Sequence, residues 1–470
     1  MVRKLLDLRK TLLIAFQKPF DTASDNGRTF ERQRRIALTA FTSIIAKSIS
    51  MATPLITLRI TLNYLGVEVY GLWSAVSTFF ALFAFSDLGL GNGLQTKLSQ
   101  SYGKDDIELS KRIISSTYFI LLLVGSFLLL LFLAVFKLIN WAALMNAQSD
   151  ETIAIASSIV FVIVIPRILS IPTAIIQRTQ FALQEGFRTN YWQISGSLLS
   201  VVSIFLCAKL DVGKVALLGV SSIIPVCISV LNIIVYFGFQ RKDLKFSFQL
   251  VDKEIMKSML SLGVYFLILS ILLTIGLSMD TFIVAKTCSL EDAGSYAILY
   301  RVSAIFSAVV GILAAPLWGA NGEAIARGDI TWVEKNTRRM SLIMGGVSIA
   351  IALIGIASAK FIFKIWLGPD FEFSLAALIW LSVMQIILSF ISPYFMLLNA
   401  SGIVKKQIVL FGVYTPISFG LKYYLSQQFG IYMIPMAGTL LYFFIVVIGI
   451  YNFSVQQLKK LNYQSAKSSA

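Results

Sequence analysis

Long apolar stretches, separated by short polar connections, dominate this chain from about residue 36 to residue 453. Windows of about 20 apolar residues can each cross a hydrocarbon layer of about 30 Å, and such windows occupy nearly the whole sequence. They predict spans at 36–62, 70–88, 113–137, 153–176, 192–208, 214–238, 259–285, 295–319, 339–361, 372–397, 404–424 and 431–453. No length remains for a soluble domain. The expected fold is therefore an all-α integral membrane protein with twelve transmembrane helices.

The polar connections alternate in charge. Nine basic residues precede the first span, and twenty more fall in the second, fourth, sixth, eighth and tenth connections and the carboxyl tail. The opposite side carries seven: Lys137, Lys209, Lys214, Lys286, Lys360, Lys364 and Lys422. A 29 to 7 split repeated connection after connection is the positive-inside pattern, which predicts an even number of spans with both termini cytoplasmic. The expected organisation is a cytoplasmic basic tail (1–35), a first six-helix lobe (36–238), a cytoplasmic connection (239–258), a second lobe (259–453) and a cytoplasmic tail (454–470). Within 1–35, Leu5, Leu8, Leu12 and Phe16 recur at helical spacing among basic residues. Two readings stand there: an amphipathic helix on the cytoplasmic leaflet, or a disordered tail. The apolar run is too short for a cleaved signal.

Composition agrees and removes several function classes. The 470 residues are 57% hydrophobic and 14% charged, with a mean hydropathy of +0.79. The formal charge of +16 faces anionic lipid rather than nucleic acid. Cys207, Cys227 and Cys288 show no paired spacing, so neither a disulfide framework nor a metal site is expected. Histidine is absent, which removes the usual general base and proton relay. No GxxxxGK phosphate loop occurs, so neither aqueous catalysis nor direct ATP hydrolysis is expected, and no cofactor.

Internal symmetry points to transport. YGLWSAVS from Tyr70 resembles YAILYRVS from Tyr296, GNG ending at Gly93 resembles ANG ending at Gly322, and ILSIP ending at Pro172 resembles SFISP ending at Pro393. The offsets are 226, 229 and 221 residues. Duplicated halves of six spans each are parallel repeats, related by an axis along the membrane normal. Eight of the ten prolines fall within predicted spans; Pro54, Pro172, Pro316 and Pro393 are candidate hinges, although proline is common in membrane helices generally.

Charges inside the spans are the sharpest local signal, because each costs roughly 3 kcal/mol at mid-bilayer unless compensated. Asp280 and Arg301 lie at matching depths in consecutive spans, which suggests an ion pair or a gating or proton-linked role for Asp280. Arg59 is close enough to a boundary to snorkel, and Asp87 reaches the cytoplasmic interface. Lys47 and Arg167 lie mid-span without an acidic partner in their own half. An anionic ligand or a hydrated cavity must offset them. Gln177, Gln180 and Asn190 extend a polar entrance for a sugar or are ordinary interface residues.

The opening half resembles a known family. YLGVEVYGLWSAVSTFFALFAFSDLGLGNGLQTKLSQSYGKDD, from Tyr64 to Asp106, is similar to the LGxExYGLW turn, DLGLGNGL element and basic connection of Wzx-type polysaccharide flippases. Those proteins belong to the multidrug/oligosaccharidyl-lipid/polysaccharide (MOP) exporter superfamily. Looser similarity continues in Asp280 with AGSYAILYRVS and in LNASGIVKKQ. The resemblance implies a two-lobed, MATE-like bundle in the bacterial inner membrane that is not an enzyme. It implies transfer of a polyprenyl-pyrophosphate-linked oligosaccharide, such as an O-antigen repeat unit, from cytoplasmic to periplasmic leaflet by alternating access. A cationic cavity would hold the pyrophosphate, with Lys47 and Arg167 first and Arg301 and Arg59 behind them. The implied partners are that lipid-linked sugar, membrane lipids, a polysaccharide polymerase and a chain-length regulator; the energy source stays open, an ion gradient being one option for which Asp280 is the acid placed well inside a span. Two alternatives remain open from the residues: an organic-cation exporter, which should place acids in its cavity, and a membrane-embedded polymerase, which should carry a sizeable outer loop. Relatives that flip lipid-linked peptidoglycan precursors usually have two further spans.

Overall fold

The computed structural model describes residues 17–21, 25–66, 69–70, 72–73, 76–77, 89–145, 147, 149–287, 290–367 and 373–469. Among the described residues every regular element is a helix. The chain divides into two compact units, Met1–Gly263 and Val264–Ala470. The division falls inside the helix Lys253–Ser278, beyond the connection expected at 239–258.

Unit 1 contains α1 (Asp25–Leu65), α2 (Leu90–Gly103), α3 (Ile107–Phe136), α4 (Trp141–Leu144), α5 (Asp150–Thr173), α6 (Ile175–Ala182), α7 (Gly186–Lys209) and α8 (Lys214–Val235). Short turns of π and 3-10 helix lead into α9 (Lys253–Ser278), which crosses into unit 2. There follow α10 (Asp280–Thr287), α11 (Leu290–Ile305), α12 (Ala308–Ala326), α13 (Ile330–Leu367), α14 (Leu375–Ala400), α15 (Lys405–Phe429), α16 (Met433–Leu441) and α17 (Ile448–Ser469).

Nine helical stretches among the described residues are long and apolar enough to cross a membrane; the pair Ile298–Ile305 and Val310–Ala326, bent by 51°, adds a tenth if it is one span. Helix α1 covers the expected 36–62, several of whose side chains lie outside the described residues, as does most of 70–88. Twelve spans are therefore not counted here. Beyond residue 453 the chain continues as helix to Ser469.

In unit 1, α1 lies along α7, and α8 packs on α5 and α7. Lipid tails are as apolar as leucine, so polar contacts and close packing must hold such helices together. The Asn190 amide donates to Thr39 O at 3.1 Å and to the Thr42 and Ser43 hydroxyls at 2.8 Å each. Gln180 donates to Asn232 at 2.8 Å and accepts from Thr189 at 2.6 Å. Both Gln180 and Asn190 are buried, so these two fasten helices rather than form a sugar entrance. Leu65, Leu94, Leu98, Ile114, Ile159 and Val160 belong to the apolar core.

Residues 25–35 are not a free tail. Glu31 is buried and accepts from Arg34 at 2.7 Å, Arg35 at 2.8 Å and the Phe20 amide at 3.1 Å. Arg35 continues to the Leu183 carbonyl at 3.1 Å, fixing the start of α1 to the end of α6. Burial raises the Glu31 carboxyl pKa, but the Arg34 and Arg35 hydrogen bonds outweigh it and bring it down to about 2. Residues 1–16, with the proposed amphipathic segment, lie outside the described residues.

In unit 2, α14 packs on α12, α13 and α16. A Cβ on Gly345 of α13 would overlap the Phe390 ring, and one on Gly355 would meet Phe306 at 2.5 Å. The absent side chains let these helices approach closely, and Ser341 Oγ donates to Phe390 O at 2.6 Å beside the first contact.

Two outcomes follow from this packing. Gly345→Ala should lower stability by about 1–3 kcal/mol through overpacking, and a second change, Phe390→Ala, should cancel part of that loss in a thermal double-mutant cycle. Glu31 has a depressed folded pKa, so its contribution is present above about 4.5 and is lost as pH falls toward about 2. Thermal stability measured from pH 6 down to pH 3 should fall less steeply in Glu31→Gln than in the parent chain.

Candidate functional site

Within unit 1, α1 carries Ser50, Thr53, Thr57 and Thr61 at spacings of three, four and four, which sets one hydroxyl stripe along one face. Each threonine hydroxyl donates to the carbonyl four residues back, at 2.9, 2.9 and 2.7 Å respectively. The donor is thereby satisfied within the helix, leaving oxygen lone pairs on that face. Thr53, Thr57 and Thr61 line a cavity of about 450 Å³ together with Trp73, Ser170, Ser200, Ser221 and Arg167. A second cavity of about 370 Å³ shares Thr53, Ser200 and Pro225 with the first and adds Ser50, Gln177, Gln193 and Asn232.

Arg167 is exposed, and no ion pair or side-chain hydrogen bond is recorded for its guanidinium among the described residues. Lys47 is half-buried on α1, one turn from Ser50 and close to the same helical face. It is not among the cavity-lining residues. Pro166, beside Arg167, also lines the first cavity, and Pro172 packs against Gly125. The side chains of Arg59 and Pro54, and Asp87 as a whole, lie outside the described residues.

Unit 2 holds a different arrangement. The expected span 259–285 is broken: α9 ends at Ser278 and α10 begins at Asp280. Lys422, on α15, reaches this break with Nζ 2.6 Å from Asp280 Oδ1 and 3.2 Å from Gly276 O. Tyr296 donates to Asp280 Oδ2 at 3.0 Å. The Asp280–Lys422 pair is buried, with side-chain exposures of 9% and 3%. A carboxylate at a helix N-terminus and an ammonium at a C-terminal carbonyl each sit at the favourable end of a helix dipole. Tyr300 donates to Leu277 O at 3.5 Å, so a second carbonyl at the end of α9 is also satisfied, and Thr415 adds a contact to Leu272 O at 3.1 Å further back in the helix.

This corrects two expectations. Asp280 pairs with Lys422, not with Arg301, which is exposed. Lys422 is not a connection residue of the outer side, because α15 runs on to Phe429 and leaves it about 10 Å inside the helix end. A span ended at 424 concealed that depth. Gly438 completes the geometry: a Cβ there would overlap Lys422 Cε and come within 2.9 Å of Nζ. Asp280, Lys422, Tyr300, Tyr414, Gln385 and Ser307 line a cavity of about 470 Å³.

The candidate hinges lie in different settings. Pro316 is buried in α12 and Pro393 in α14, which runs unbroken from Leu375 to Ala400. The 51° bend before α12 falls near Ser307, whose hydroxyl is 2.5 Å from Gln385 Oε1, and not at Pro316.

Comparison with known proteins places these sites in a family. Residues 38–317 match the model of the polysaccharide biosynthesis protein family. The chain belongs to that family. It is also 22% identical over 381 residues to a putative O-antigen export protein of Yersinia pseudotuberculosis, covering 77% of this chain and 82% of that one. Among solved structures, a MATE protein in its bent conformation has a TM-score of 0.79 at 14% identity, over 97% of this chain and 99% of that one. A MOP superfamily transporter from Pyrococcus furiosus, described as having a binding pocket of reverse polarity, has a TM-score of 0.74 at 15% identity, over 96% and 98%. This family member therefore has the all-helical fold of MATE transporters and is a multi-pass membrane protein.

Removing one partner of the Asp280–Lys422 pair leaves an uncompensated buried charge. Lys422→Met should therefore destabilise by about 3–5 kcal/mol, whereas the double change with Asp280→Asn should recover most of that loss. Thermal unfolding of the three variants in one detergent measures the coupling.

Proposed function

We propose that this chain exports a polysaccharide precursor, translocating a polyprenyl-pyrophosphate-linked oligosaccharide from the cytoplasmic to the periplasmic leaflet of a bacterial inner membrane. The observation that carries this reading is Arg167: a cation without an ion-pair partner among the described residues, at the wall of a hydroxyl-lined cavity. A cation inside a membrane needs either water or an anion. Pyrophosphate supplies the anion, and the Ser and Thr oxygens suit sugar hydroxyls. The family and the export protein of Yersinia support a polysaccharide cargo. Lys47 draws the head group from the cytoplasmic side, with Arg301 and Arg59 as secondary contacts. Both termini are cytoplasmic on this reading, and a polymerase and a chain-length regulator receive the product.

Translocation by alternating access requires only that the cavity face each side in turn and that each contact be weak enough to release the head group. An organic-cation exporter is disfavoured by the charge of the cavities. The unit 1 cavity has arginine as its charged lining residue, and the one acid lining the unit 2 cavity, Asp280, is neutralised by Lys422.

Deletion in the native host tests the function. Complete lipid-linked units should accumulate on the cytoplasmic side, and unchanged surface polysaccharide would reject the reading. For the site, Lys47→Ala and Arg167→Ala should each reduce export at least tenfold at unchanged protein level, read as surface polysaccharide in the complemented strain. Full complementation by both would remove the anion cavity from the mechanism.

A further inference from the structure

The ends of broken membrane helices are suited to hold ions. The C-terminal end of the first half-helix presents carbonyl oxygens with the negative end of a dipole, and transporters use such ends to coordinate a coupling cation. Here the break at Met279 offers a carbonyl, Gly276 O, and a carboxylate, Asp280 Oδ1, converging on one point. That point is occupied by Lys422 Nζ, at 3.2 and 2.6 Å. The ammonium is delivered from a different helix, α15, and Gly438 leaves room for its stem.

We propose that the α9–α10 break is a monovalent-cation site whose occupant in this chain is its own tethered ammonium. Lys422 takes the place of an alkali ion, so this break draws no sodium or potassium from solution. The site keeps zero net charge without exchange, and the hydroxyl-lined cavity beside it, with Thr274 and Ser278, opens a path along which a free cation reaches the oxygens once the lysine is removed. An ion pair built only for helix docking makes a different forecast. Its oxygens would be arranged for one –NH₃⁺ on a stem, and they would not take up a free ion.

The test needs no polysaccharide substrate, so its failure is separate from any failure of the export reading. Purified Lys422→Ala protein is heated in choline chloride, NaCl, KCl, LiCl or ethylammonium chloride at equal ionic strength. The parent should unfold at the same temperature in all five. The variant should unfold several degrees lower in choline and should recover, saturably, with at least one alkali ion or with ethylammonium. Asp280→Asn/Lys422→Ala should show no recovery. Lys422→Gln is one atom shorter, so its neutral amide stops short of the ammonium position; it serves if the alanine variant cannot be purified, and the same cation response is expected of it. A variant indifferent to every cation, or a parent stabilised by sodium as strongly as the variant, would overturn the proposal.

Discussion

A hydrocarbon layer supplies no water to a broken helix, and that constraint governs unit 2. Where α9 stops and α10 starts, backbone carbonyls that would be bonded in a continuous helix must find other donors. Lys422 and Tyr300 provide them at Gly276 and Leu277, and the same lysine neutralises Asp280. Each of these residues depends on the others: the charge pair is tolerable because it is closed on itself, and the break is tolerable because the pair closes it. The glycines at 276 and 438 belong to the same solution, since a Cβ at either would collide with Thr415 or Lys422.

The same rule yields a different result in unit 1. Apart from charged contacts at helix ends, such as Arg35 to Leu183 O, its helices are joined by neutral amide and hydroxyl bonds, notably Asn190 to α1 and Gln180 to Asn232, which need no counter-charge. The intramembrane cations Arg167 and Lys47 therefore remain unneutralised by ion pairs among the described residues. One unit has a cavity whose charges cancel internally, and the other has a cavity with charge to offer a ligand. For a cargo with an anionic head group, that asymmetry matters more than the size of either cavity.

Much of the fold was legible because hydropathy and charge are one-dimensional properties. Spans such as 113–137 and 372–397 lie within or beside single helices, Ile107–Phe136 and Leu375–Ala400. The spacing of Ser50, Thr53, Thr57 and Thr61 was equally present in the sequence, but a stripe of hydroxyls on a helix is common and becomes a cavity wall only when α5, α7 and α8 stand opposite. The depth of Lys422 was missed for a simple reason. Hydropathy falls at a lysine, so a window ends the span there, whereas the helix itself continues to Phe429.

What the sequence determined by itself was the class of molecule: apolar windows of bilayer length, alternating basic connections and the LGVEVYGLW–DLGLGNGL segment specify a membrane-spanning polysaccharide-family chain, because lipid acts on each segment separately. What only the tertiary structure decided was partnership. Asp280 lies 21 residues from Arg301 and 142 from Lys422 along the chain, yet it pairs with Lys422, because helix packing and a break in the backbone, not sequence separation or estimated depth, bring charges within 3 Å.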